Sequence, residues 1–176
     1  MRNVLFLCTH NSARSVMAEA LLNTIGGERF QAFSAGSKPS GRVNPFALEM
    51  VKSLGYLTDT IRSKSWDEFS MAGAPPMDIV ITVCNNAASE VCPVWTSRHG
   101  VPPVVAHWGF PDPSDAPGGI EGKRKAFDQV FHAIRERLER LVVLPMDGIS
   151  PRVLSEQLKK IHQVGAAQPT VRQNRP

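Results

Sequence analysis

"VLFLCTHNSARSVMAEALL", residues 4–22, decides the fold: an apolar run ends on Cys8, a short polar loop follows, and Arg14 opens a second apolar pattern. Val4–Leu7 is continuous rather than alternating, the mark of a short strand buried on both faces, as in a parallel sheet. Ala13 to about Ile25 reads as a helix that Gly26 and Gly27 bring to an end. A strand, a tight loop and a helix thus hold a thiol and a guanidinium at the two ends of a Cys-x5-Arg stretch.

The remaining chain repeats this alternation. "FQAFSAG" reads as a second strand, and Asn44 caps a helix whose first turn holds Pro45 and whose stop is Gly55. "SWDEF" suggests a short helical turn. "MDIVITVC" and "PPVVAHW" give two further strands, and a loop dense in Pro, Gly and Asp follows. Phe127, Val130, Phe131, Ile134, Leu138 and Leu141 then mark one stripe of a long amphipathic helix near 120–142. The expected fold class is α/β, a four-stranded parallel sheet flanked by helices, with its ligand beyond the carboxyl ends of the strands. Residues 1–142 are expected to form this domain. An extension over 143–176 holds a helix at about 151–163 and then a disordered tail.

Composition removes several classes of function. Apolar residues at 42% and charged residues at 20% are globular values. No apolar stretch reaches the roughly 20 residues of a membrane span, and Val4–Leu7 is too short for a signal-peptide core, so the expected location is cytoplasmic. Residues 121–176 carry 11 Lys and Arg against 6 Asp and Glu. The charges of the long helix fall on the face opposite its apolar stripe, as in an ordinary amphipathic helix, so no nucleic-acid partner is expected. Three cysteines in such a chain argue against a static disulfide framework and for reactive or metal-binding thiols.

Around Cys8 the chemistry is specific. A loop wrapping into a helix N-terminus turns its amides, here those of Thr9, His10, Asn11, Ser12, Ala13 and Arg14, toward one point and forms an anion pocket. The planar fork of Arg14 suits a tetrahedral oxyanion. Helix dipole, amides and guanidinium all favour a Cys8 thiolate, and Ser15 is placed to donate to that sulfur. Further along, Cys84 ends a strand and Cys92 follows eight residues later, too far apart for the usual zinc pair.

These motifs resemble one known family. "VLFLCTHNSARSVMAEALL", "FSAG", "VNPFALEMVKSLG", "TVCNNAASEVCP" and "HWGFPDP" are similar, in that order, to the low-molecular-weight protein tyrosine phosphatase fold, and most to the arsenate reductases built on it. The resemblance implies reduction of arsenate to arsenite for arsenic detoxification. It implies a relay in which Cys8 attacks arsenate, Cys84 attacks Cys8, and Cys92 attacks Cys84, with "NNAASE" looping out between the last two. A thioredoxin-like protein would then reduce the Cys84–Cys92 disulfide; glutaredoxin with glutathione is the alternative, and Cys92 favours the former. The same resemblance makes Asp112, before Pro113, the acid that protonates the departing oxygen, with Asp115 the other local carboxylate. It also gives no chemistry to His107 and Trp108. Some members hold potassium beside the loop, and the matching positions are Asn11, Glu19, Ser34 and Asp67; Asn11 and Ser34 serve equally well as hydrogen-bonding struts. Two other readings stay open: a tyrosine phosphatase using Cys8 alone, and a non-catalytic oxyanion or redox sensor. Ser114, Asp115 and Ala116 stand where such phosphatases usually carry aromatic residues.

Overall fold

A computed structural model describes residues 1–97 and 100–166. The tail expected to be disordered falls largely outside them. Four strands, β1 (Arg2–Cys8), β2 (Phe30–Gly36), β3 (Ile79–Thr82) and β4 (Val104–His107), form one sheet in the order β2-β1-β3-β4. Every pairing is parallel. The helices are α1 (Arg14–Ile25), α2 (Pro45–Ser53), α3 (Asn85–Ser89), α4 (Gly119–Val142) and α5 (Pro151–Ala166).

Register brings the strand ends to one rim. Cys8 pairs with Gly36, Leu7 with Thr82, and Thr82 with His107. The chain leaves β1 for β2 on one side and returns to β3 on the other, so the topological switch point lies directly above Cys8.

Alternation along the buried strands sorts the core. Val4, Phe6, Ile79 and Ile81 face Leu21 and Leu22 of α1 and Phe127, Ile134 and Leu138 of α4. Each such fully buried side chain contributes about 1.5–3 kcal/mol. Leu154, Leu158 and Ile161 of α5 join the same cluster, and the buried Trp108 indole donates to the Leu158 carbonyl at 3.0 Å. Leu5, Leu7 and Val80 point the other way, where irregular chain rather than long helix covers them: Phe69, Met77 and Trp95, with Trp66 and Cys92 alongside. The "SWDEF" turn is a 3-10 segment over Trp66–Phe69.

Two segments differ from the sequence reading. β3 and β4 are four residues each, because the chain turns toward the rim immediately past Thr82 and His107. "NNAASE" is not an open loop: Asn85–Ser89 forms one helical turn, and the Cys84 sulfur caps it by accepting from Ala87 N at 3.4 Å.

Candidate active site

The loop after β1 is held from outside through its carbonyls. Thr9 O accepts from Lys38 N (2.9 Å), His10 O from Ser40 N (3.0 Å) and Ser12 O from Asn44 N (2.8 Å). Carbonyls used on the outer side leave the amide side of these peptides facing inward, and the His10 amide donates to the Cys8 sulfur. Gly36 runs close beneath the loop; a Cβ there would fall 2.5 Å from Thr9 O and 3.0 Å from Asn11 N. Asn11 turns the loop with φ 47°, the one left-handed non-glycine among the described residues. Its buried amide ties three segments together, with Nδ2 donating to Ser15 Oγ (2.9 Å) and Ser34 Oγ (2.9 Å) and Oδ1 accepting from Lys64 N (2.8 Å).

The Asp-Pro loop closes over this pocket through Arg14. Nη1 donates to Phe110 O at 2.9 Å, and Nη2 pairs with Asp112 Oδ2 at 2.8 Å. Asp112 also accepts from Ser114 N at 3.0 Å and so caps the short turn Pro113–Asp115; it, not Asp115, meets the guanidinium. Arg14 Nε is buried with no partner, a donor of the kind that an oxyanion in the pocket would satisfy. Behind Phe110, the buried Arg137 guanidinium stacks over the ring at 4.4 Å.

Cys8 and Cys84 are both buried in one cluster, and their titrations are linked. Interaction with the Cys8 thiol lowers Cys84 to about 5, aided by the Thr9 hydroxyl (3.5 Å) and the Ala87 amide. That same interaction, and then burial, push the Cys8 thiol up against the pull of Arg14 and the His10 amide. The two thiols therefore share one ionisation as a pair, where the sequence reading treats Cys8 alone. Ser15, expected to donate to Cys8, accepts from Asn11 Nδ2 at 2.9 Å through its Oγ.

The three thiols are free and not all together. Cys92 packs against the apolar cluster on the other side of the sheet, and burial and Glu90 raise its thiol. The exposed Val91 and Val94 flank it.

Asn11, Glu19 and Ser34 do converge, and Ser34 Oγ donates to Glu19. Their cation is a side chain that the sequence reading missed: buried Lys64 Nζ lies 3.4 Å from Glu19 Oε2 and 3.5 Å from Ser34 Oγ. Burial raises the Glu19 carboxyl, opposed by the Lys64 charge and the Ser34 bond. Asp67 is exposed and turns to Ser65 Oγ at 3.1 Å. The four residues therefore do not fit the expected potassium ion: one is elsewhere, and an ammonium group fills the place of the cation. No motif spacing announces Lys64, because it reaches the cluster from the loop after α2.

Comparison with known proteins agrees with this geometry. A family model described as low molecular weight phosphotyrosine protein phosphatase matches residues 3–163. An arsenate reductase of Halalkalibacterium halodurans is 36% identical over 136 residues, 77% of this chain and 91% of that protein. Among solved structures, an arsenate reductase from Archaeoglobus fulgidus superposes with a TM-score of 0.60 at 29% identity, covering 79% of this chain and 98% of that one. A thioredoxin-dependent arsenate reductase of Corynebacterium glutamicum gives 0.55 at 25% identity, covering 81% and 62%.

Proposed function

Since the chain belongs to the low molecular weight phosphotyrosine protein phosphatase family, we propose that it uses that family's anion pocket for redox chemistry, reducing arsenate to arsenite in arsenic detoxification. One observation carries this reading: a second thiol, Cys84, reaches the loop beside the nucleophile Cys8, its sulfur 3.5 Å from the Thr9 hydroxyl and buried in the same cluster. Ester hydrolysis through a cysteinyl phosphate needs one thiol and water; disulfide chemistry needs two sulfurs in contact.

Arsenate enters under the Arg14 fork and the inward amides, taking the guanidinium edge now used by Asp112. Condensation joins the Cys8 sulfur to arsenic. One arsenate hydroxyl leaves as water: Asp112, released over the pocket, takes up the Cys8 thiol proton and hands it to the departing oxygen. The interactions that lower the Cys84 thiol favour it as the next nucleophile. Its sulfur attacks Cys8, the S–As bond breaks with its electron pair kept by arsenic, and arsenic(V) becomes arsenic(III) while two thiols become a disulfide. Cys92 then displaces Cys8 from Cys84. Because Cys92 starts across the sheet, this exchange requires α3 to unwind and carry residues 85–92 outward. A dithiol protein of the thioredoxin type reduces the resulting Cys84–Cys92 disulfide, a reading supported by Cys92 and by the thioredoxin-dependent neighbour.

NADPH consumption with arsenate, thioredoxin and thioredoxin reductase tests it, wild type against Cys92→Ser. Turnover that collapses in the variant supports the relay. Equal turnover removes Cys92 from it, and no turnover in either protein, with glutaredoxin and glutathione failing as well, refutes the reductase reading.

A further inference from the structure

The side chain that fixes the segment around Cys84 comes from another strand. His107, the last residue of β4, meets the Thr82 hydroxyl through Nδ1 at 2.8 Å and Asn85 Oδ1 through Nε2 at 3.1 Å. These partners bracket Cys84: Thr82 lies two residues before it and Asn85 directly after, as the first residue of α3. An amide oxygen only accepts, so Nε2 donates to Asn85, while Nδ1 pairs with the Thr82 hydroxyl. Gly109 leaves this arrangement little freedom, since a Cβ there would fall 3.0 Å from both Asn85 Oδ1 and His107 Nε2. The C-terminal helix supplies the backing, with the His162 ring 6.0 Å away, centroid to centroid. Nearby backbone bonds from Trp108 N to Thr82 O (2.8 Å) and from Phe110 N to Val83 O (3.2 Å) set the distance between β4 and the Cys84 strand.

We propose that His107 is a positioning residue for the second nucleophile: it grips Asn85, and with it the first turn of α3, so that the Cys84 sulfur stays on Cys8 until arsenite has left. The proposal rests on the relay described above. His107 touches neither arsenic nor sulfur; it acts through Asn85, and the grip must open when Cys84 turns to Cys92. The sequence reading gave His107 no chemistry, and its two polar contacts go beyond packing.

Two substitutions separate the contacts. In His107→Gln the amide nitrogen falls where Nε2 lies and keeps the bond to Asn85. In His107→Asn the shorter side chain reaches only as far as Nδ1 and keeps Thr82 alone. Pre-reduced full-length protein is mixed with arsenate without added reductant, and arsenite release is followed through a single turnover. Wild type and His107→Gln are expected to match, while His107→Asn slows release about fivefold, the ratio that one hydrogen bond of ordinary net strength supports. The arsenate concentration giving half-maximal rate stays unchanged, because the pocket is intact. In an Asn85→Ala background the two variants become equal. Equal rates for all three proteins overturn the proposal, and so does equal slowing of both variants with equal loss of thermal stability, which marks a structural role. Absence of arsenite from the wild type instead removes the relay itself.

Discussion

Replacing Asn11 by alanine tests how the loop is held. The substitution removes three hydrogen bonds, to Ser15, Ser34 and Lys64, from a fully buried residue. The serine hydroxyls can rotate, and Ser34 keeps Glu19, so each of those losses is about 0.5–1 kcal/mol. The buried Lys64 amide is left with no acceptor, at about 1–3 kcal/mol. A Cβ held at φ 47° without the local asparagine bonds adds about 1 kcal/mol. Together the expected loss is about 3–6 kcal/mol, a large share of the 5–15 kcal/mol of a typical domain. At about 2–4 °C for each kcal/mol, the midpoint of unfolding falls by roughly 10 °C. Asn11→Gly loses the same bonds but accepts the left-handed backbone, and recovers up to about 1 kcal/mol. Urea unfolding with matched slopes gives both values, and protection of Cys8 from alkylation by inorganic phosphate reports the pocket. Alanine within 1 kcal/mol of wild type, or glycine well below alanine, refutes this account.

Three further outcomes follow from the same geometry. Ultraviolet titration should find one thiolate per chain above a pH of about 5 and lose it below, since the Cys84 form that is stabilised is the charged one; Cys84→Ser removes the interaction that raises Cys8, so Cys8 alkylates faster at neutral pH, and a slower rate contradicts the pairing. Asp112→Asn can still accept from Arg14 and Ser114 but has no proton to give, so turnover drops about 10²–10⁴-fold with oxyanion affinity held; an unchanged rate rules out the acid role. Lys64→Met strands the Glu19 carboxylate at about 3–5 kcal/mol, and Glu19→Gln in addition restores much of it. Replacing potassium by choline leaves the wild-type melting temperature where it was, and a potassium-dependent rise would show that the cluster takes a second cation.

Legibility from sequence followed the range of the interactions. The strand, the loop and α1 are contiguous, so "VLFLCTHNSAR" displays β1, the anion loop and Arg14 together. Asn44 and Pro45 were equally plain, because a cap is a contact two residues long. Lys64 was invisible, since its partners Glu19 and Ser34 lie 45 and 30 residues away and meet it only after α1 and β2 have stacked. The shared ionisation of Cys8 and Cys84 was hidden for a related reason. Arg14 and the amides are local to Cys8, but the thiol that couples to it and opposes their effect comes from Cys84, beyond the neighbouring strand β3. In α3 a short polar run reads as loop, and the turn forms because a sulfur caps it and His107 grips its start.

The alternation of β1 has a consequence for electron traffic. Cys8 belongs to the series with Val4 and Phe6, while Cys92 lies against Leu5 and Leu7 on the reverse side. The sheet therefore works as an insulator between the oxidisable end and the serviceable end of the molecule. In the proposed relay Cys8 and Cys92 would have no direct circuit, and Cys84, at the strand-end rim, would be the contact arm. Oxidation passed across such a barrier would then be recorded as a change of shape, and a reductant could recognise a spent molecule by the segment it displays.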